Sequence, residues 1–144
     1  MAILDPQKEV YGRLSSDSAL TSLLSTHNTA PAIFSDFVPH DHVIDDKPVI
    51  VVVAPNQNED DDTYTEEYRD MLMNVRLYHR PQGSSADLEA AAEQTRQTLK
   101  SWPAGAITNG SLVDASVSGP VAAPTEDPAL EGRLLQVRLY IKET

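Results

Sequence analysis

The sequence predicts an α+β fold: an antiparallel sheet of about four strands packed against one long helix, with an N-terminal helical segment in front. Three observations predict it. From Tyr68 to Arg80, Met71, Met73, Val75, Leu77 and His79 fall on one face, while Asp70, Asn74, Arg76 and Tyr78 fall on the other with Leu72 as the apolar exception. That period of two marks a half-buried strand, spanning roughly 40 Å at about 3.3 Å per residue. From Ser84 to Ser101, Leu88, Ala91, Ala92, Thr95 and Leu99 recur at helical spacing behind a capping-box-like Ser84-x-x-Asp87. The candidate strands come in consecutive pairs, in the order α-α-β-β-α-β-β, and strands without a helix between them pair as antiparallel hairpins.

The elements follow in chain order. Asp5-Pro6 starts the first helix, since Asp is a good N-cap and Pro suits the first helical position. Val10, Tyr11 and Leu14 follow, and Ser15-Ser16-Asp17 interrupts and caps a second short helix carrying Leu20, Leu23 and Leu24. These leucines read as core, where burying each contributes about 1.5–3 kcal/mol. Residues 25–47 read as irregular, with Ile33, Phe34 and Phe37 as anchors. Pro48 to Pro55 brackets an unbroken apolar strand whose pattern implies burial on both faces. Asn56 to Glu67 reads as an acidic, solvated loop. Beyond the long helix, Asn109-Gly110 marks a turn. Leu112 to Ser118 is a weaker strand with Val113, Ala115 and Val117 on one face, and 119–132 is a proline-bearing connection. Arg133 to Lys142 is a closing strand with Leu135, Val137, Leu139 and Ile141 inward and Gln136, Arg138 and Tyr140 outward.

A chain of 144 residues with 40% hydrophobic content suits one domain over 1–144. No apolar run reaches membrane-spanning length and no charged-then-apolar leader opens the chain, so neither a membrane span nor a secretory signal is expected. The absence of cysteine removes disulfides, thiolate nucleophiles and Cys-ligated metals. A net charge of −11 argues against sequence-specific DNA binding, which needs clustered cations to release phosphate counterions. An acidic surface can still let DNA slide past, because like charges repel.

Chemistry-bearing motifs are sparse. His40-Asp41-His42, with Asp45 nearby, is the most metal-like cluster, but a zinc site needs defined third and fourth ligands. Glu59 to Asp62 lacks the EF-hand spacing, and no nucleophile elbow, P-loop or dinucleotide fingerprint occurs. His79 reads as a satisfied core or edge histidine. What plain globularity leaves over is the acidic stretch, the proline-bearing stretch, and an outer sheet face carrying Leu72, Tyr78 and Tyr140. Together they suggest an assembly subunit.

The stretch from Val10 to Leu24, VYGRLSSDSALTSLL, resembles the opening of small tail-completion proteins of long-tailed phages and gene transfer agents, which carry a helix of the YxRLxxDxALxxLL kind. The proline-flanked PVIVV strand, the long strand ending in a basic residue, the Ser/Ala/Glu-rich helix from Ser84 to Ser101, and the RxRxRxYIKE-like closing strand from Gly132 to Glu143 continue the resemblance in order. The acidic insert at 59–67 departs from it. The resemblance implies a tail terminator. Such a subunit forms a homohexameric ring that caps the tail tube and joins it to the head through the neck, without catalysis or cofactor. The implied partners are copies of itself, the tail tube protein and a neck or head-completion protein, with DNA passing through the lumen unbound. The implied location is the tail–neck junction of the virion, after assembly in the host cytoplasm.

On this basis the candidate partner contacts are Phe34, Phe37, Asp60, Asp61, Asp62, Tyr64, Pro124 and Pro128. The exposed edges of the long strand and of the closing strand are the candidate interfaces within the ring, since an unpaired edge invites another chain. A neck stopper or connector is the alternative within the class. A metal-dependent or carboxylate enzyme using His40, His42 and Asp45 is the alternative from another, and a small acidic adaptor a third.

Overall fold

In the computed structural model, residues 3–63 and 65–144 are described, and strand outweighs helix, at 40% against 21%. The α+β expectation is therefore corrected: the chain is mostly β, built on a curled seven-stranded mixed sheet that forms a half-barrel. Helices α1 (Pro6–Ser15), α2 (Ser18–Thr21) and α3 (Ala86–Lys100) accompany it. A separate two-stranded hairpin pairs β1 (Thr26–His27) with β2 (Ala30–Pro31). The main sheet runs β3 (Ile33–Ser35), β4 (Val49–Val52), β6 (Tyr68–His79), β9 (Glu131–Glu143), β8 (Gly110–Ala122), β7 (Gly105–Ile107), and β5 (Gln57–Asp60) also pairs with β6.

The extra strands escaped the sequence for physical reasons. β3 has three residues, too few to show a period, and it runs parallel to β4, which makes the sheet mixed. β5 lies inside the stretch read as an acidic loop; its residues are all polar because an edge strand with open faces needs no apolar alternation. β8 runs well past Ser118, through Pro120, to Ala122, so the expected connection at 119–132 shrinks to a turn over 123–130. Two irregularities in its pairing with β9, between Leu112 and Asp114 and between Ser118 and Val121, absorb the proline. The first also turns Val113 outward, to 43% exposure, away from the face it was assigned.

β6 and β9 pair along their full length, from Tyr68 opposite Lys142 to His79 opposite Glu131. On its other flank β6 is covered by β4 opposite 75–78 and by β5 opposite 69–72. Val53 and Asn56 bridge the gap by donating to the carbonyls of Asn74 and Leu72 at 3.0 Å each. β9 has β8 on its far side. Neither β6 nor β9 has a free edge, which corrects the expectation that those edges make the ring contacts.

The inner face forms the core. Met73, Val75, Leu77, Leu135, Val137, Leu139 and Ile141 are fully buried beneath Leu88, Ala91, Ala92 and Leu99 of α3 and Val10 and Leu14 of α1. β4 is buried at all four positions, on both faces. Asp17 clasps the helices together. It caps α2 by accepting from the Ala19 amide at 3.0 Å and also accepts from Gln94 at 2.9 Å and from the Thr98 hydroxyl on α3. Those hydrogen bonds, Thr98 first, hold the Asp17 carboxyl below the usual carboxylate range. The cap of α3 falls one residue later than expected, at Ser85, while the Ser84 hydroxyl accepts from the Ala86 amide at 3.0 Å.

Candidate functional site

The outer face of the sheet, opposite the core, has two chemically different ends. Strand alternation places Tyr68, Asp70, Leu72, Asn74, Arg76 and Tyr78 of β6 on it, beside Lys142, Tyr140, Arg138, Gln136, Leu134 and Gly132 of β9. Tyr68 and Tyr78 are ten residues apart, about 33 Å at roughly 3.3 Å per residue.

At the Tyr68 end the acidic segment is fastened onto the sheet. The Tyr140 hydroxyl donates to Asp61 at 2.7 Å, the Tyr68 amide donates to Asp62 at 3.1 Å, and Arg69 pairs with Asp60. Lys142 pairs with Glu66 at 2.9 Å, and the Tyr68 hydroxyl donates to the same carboxylate. The Tyr68 and Tyr140 rings stack with centroids 5.3 Å apart and planes 5° from parallel. The electrostatics follow from these contacts. The hydrogen bond to Asp61 pushes the Tyr140 phenol up to about 12. The Lys142 hydrogen bond draws the Glu66 carboxyl down, and Glu66 in turn raises both Lys142 and Tyr68. Arg138 pairs with Asp70 at 3.0 Å across the neighbouring strands. Tyr64 lies outside the described residues.

At the Tyr78 end a groove of about 550 Å³ opens between the segment after β3 and the β8–β9 turn. Val38, Ile44, Tyr78, Pro124 and Leu130 form its apolar wall, and Arg76, Thr125, Glu126 and Asp127 its polar rim. Phe37, next to Val38, is 69% exposed, and Pro128 is exposed on the turn. Phe34 is half-buried instead, in a cluster with His27 and His42 whose rings each lie 5.3 Å from its own. The structure therefore brings Val38, the neighbour of Phe37, together with Pro124, and sets Asp61, held by Tyr140, at the far end of the face, while Asp60, opposite Arg69, turns to the other side of the sheet.

His42 does not turn towards a second ligand from its own motif. Its Nδ1 sits 3.1 Å from Nδ1 of His27, and its Nε2 is buried without a partner among the described residues. Burial first, and the neighbouring His27 second, push the His42 imidazole below its ordinary value. Asp45 is engaged elsewhere, accepting from the Lys47 amide at 3.0 Å, and His40 is exposed. Among the described residues no three His, Cys, Asp or Glu side chains converge as metal ligands. His79 is buried as expected, with Nδ1 3.1 Å from the Asp46 carbonyl, but its Nε2 is left without a hydrogen bond, 3.7 Å from Glu131.

Sequence reasoning missed His27, Arg69, Glu66 and Lys142. The contacts of His27 with His42, Arg69 with Glu143 and Glu66 with Lys142 join residues 15, 74 and 76 positions apart, and no local pattern announces them.

The family model described as Tail completion protein gp17 matches residues 8–142. The chain belongs to this family. Its role is structural, that of a tail terminator, and its place is the virion. No curated protein matches this tail completion protein. Its structure is similar to that of a chain described as "Virion of native gene transfer agent (GTA) particle", with a TM-score of 0.72 and 20% identity, covering 94% of this chain and 93% of that one. At that identity the likeness speaks to the fold, which the two share over nearly their full lengths. No helix among the described residues is long and apolar enough to cross a membrane.

Proposed function

We propose that this tail completion protein acts as a single domain and assembles into a homohexameric ring that caps the tail tube and joins it to the neck. The match of the family model over residues 8–142 carries this reading. The outer face supports it with two unlike ends, an anchored acidic patch and an apolar groove, which suit two unlike neighbours such as a tube protein and a neck protein. Asp60, Asp61, Asp62 and Tyr64 serve one contact; Phe37, Pro124 and Pro128 serve the other, with Phe34 supporting that side from its cluster with His27 and His42. DNA passes through the lumen without specific binding, in keeping with a net charge of −11. The reading assigns no catalytic residue.

Native mass spectrometry of the purified chain, alone and then with assembled tail tubes, tests this. A hexamer, in solution or only on tubes, supports the ring. A monomer that ignores tubes overturns it.

A further inference from the structure

We propose that the outer edge of β8, from Val113 to Ser118, is the seam along which the sheet of a second copy of this chain continues; the inference rests on the ring reading above. The Ala123 amide donates to the Gly132 carbonyl at 3.0 Å, and the Glu143 amide donates to Glu67 at 2.8 Å. These two bonds fix the alternation along β9. Even-numbered residues turn their backbone groups towards β8 and odd-numbered ones towards β6. Opposite Gln136, Arg138 and Tyr140 stand Ser118, Ser116 and Asp114, which therefore bond inward. Ala115 and Val117 must turn their N–H and C=O groups outward. β7 covers only Gly110–Leu112, and among the described residues nothing else pairs with that edge.

The open stretch is bounded. Asp114 stands near one end and Gly119-Pro120 at the other, both devices that discourage pairing, while the four residues between them are small or β-branched and uncharged. An edge guarded at its ends and bare in its middle accepts one short strand in few registers.

The same sheet offers such a strand at its opposite side. β5 spans four residues, has β6 on one flank, and carries no backbone pairing on the other among the described residues. The two open edges differ, so pairing β5 of one copy with β8 of the next is a head-to-tail contact. Repetition of such a contact closes into a ring when its rotation fits. Charge agrees: β5 brings Glu59 on the outer face, opposite Asp70, and Arg138 lies 53% exposed on that same face, one strand in from the seam. Asp114 repels registers that would set that acid against it.

The substitution Ala115→Pro tests the seam. The Ala115 N–H has no partner among the described residues, and an edge position of this kind tolerates proline. It removes a donor the incoming strand needs. We expect circular dichroism and melting like the wild type, with oligomer formation on tail tubes at least tenfold weaker. Since the chain has no cysteine, Ala115→Cys with Asn58→Cys supplies a second readout: an inter-subunit disulfide in the assembled state. Wild-type assembly by Ala115→Pro without that cross-link overturns the seam and leaves the ring standing. Cross-linking of Ala115→Cys alone to itself overturns the head-to-tail pairing. A wild-type chain that stays monomeric on tubes overturns ring and seam together. Should the proline variant misfold, hydrogen exchange on the wild type decides: protection of the Ala115 and Val117 amides on assembly supports the seam, and unchanged fast exchange refutes it.

Discussion

Tyr78 lies across the bare backbone of Gly132 so closely that a Cβ there would meet the ring at 2.9 Å and the Ala123 methyl at 3.2 Å. The contact seats the tyrosine in the wall of the apolar groove. Gly132→Val should displace the ring and cost about 1–3 kcal/mol, the usual penalty of overpacking. Denaturant unfolding measures the cost, and Tyr78→Ala in the same background should recover part of it.

Two neighbours on β9 separate burial from charge. Leu139 is fully buried, and Leu139→Ala should cost about 2–5 kcal/mol by transfer and cavity formation. Arg138, one residue away and half-exposed, pairs with Asp70 on the surface, where such pairs contribute about 0–1 kcal/mol. Arg138→Ala should leave the unfolding midpoint nearly unchanged.

These contrasts mark what the sequence makes legible. Leu135, Val137, Leu139 and Ile141 repeat with a period of two because one face meets the core and the other meets water, and the helix stripe from Leu88 to Leu99 repeats for the same reason. The outer-face anchors carry no such record. Lys142 reaches Glu66 only because β6 and β9 pair in one particular register, and a register is a long-range fact. β5 was hidden by its polarity, and the extension of β8 by a proline that the pairing irregularity accommodates. The fold class shifted from α+β to mostly β because short, polar or interrupted strands leave the weakest periodic signal.

The Asp17 side chain joins two helices, α2 and α3, so its loss should be larger than that of an ordinary cap. Asp17→Ala removes an N-cap worth about 0.5–2 kcal/mol and strands the Thr98 hydroxyl, which is 7% exposed. Destabilisation at or above the top of that range is expected. Because the folded-state carboxyl is held below its ordinary value, its contribution is fully present above the unfolded value near 3.8 and is lost as pH falls through the lower, folded one. An acid titration of stability for wild type and Asp17→Asn should converge in that window.

The His27–His42 contact predicts pH sensitivity around residues 25–47. His42 is held below 6.5, so the fold favours its neutral form. Its contribution is complete above that value and is lost as pH falls through the depressed folded one. Proton NMR of the imidazoles should show His42 titrating later than a free histidine on acidification, and His27→Ala should move it back up.

The Tyr140 phenol, raised to about 12, should ionise about two units later than a free tyrosine in an ultraviolet titration. Asp61→Asn should bring it down towards 10. The contribution of this hydrogen bond is intact below pH 10 and fades as pH rises through 12.

The fastening of the acidic segment fixes where its charge points. A carboxylate on a free tether points everywhere in turn, and its field averages towards that of a diffuse cloud. Asp60, Asp61 and Asp62 are each tied to a rigid strand, by Arg69, the Tyr140 hydroxyl and the Tyr68 amide. Their field therefore has a fixed direction, and over a Debye length of about 8 Å at physiological salt such a direction survives. The segment presents a fixed relief of charge rather than a moving brush.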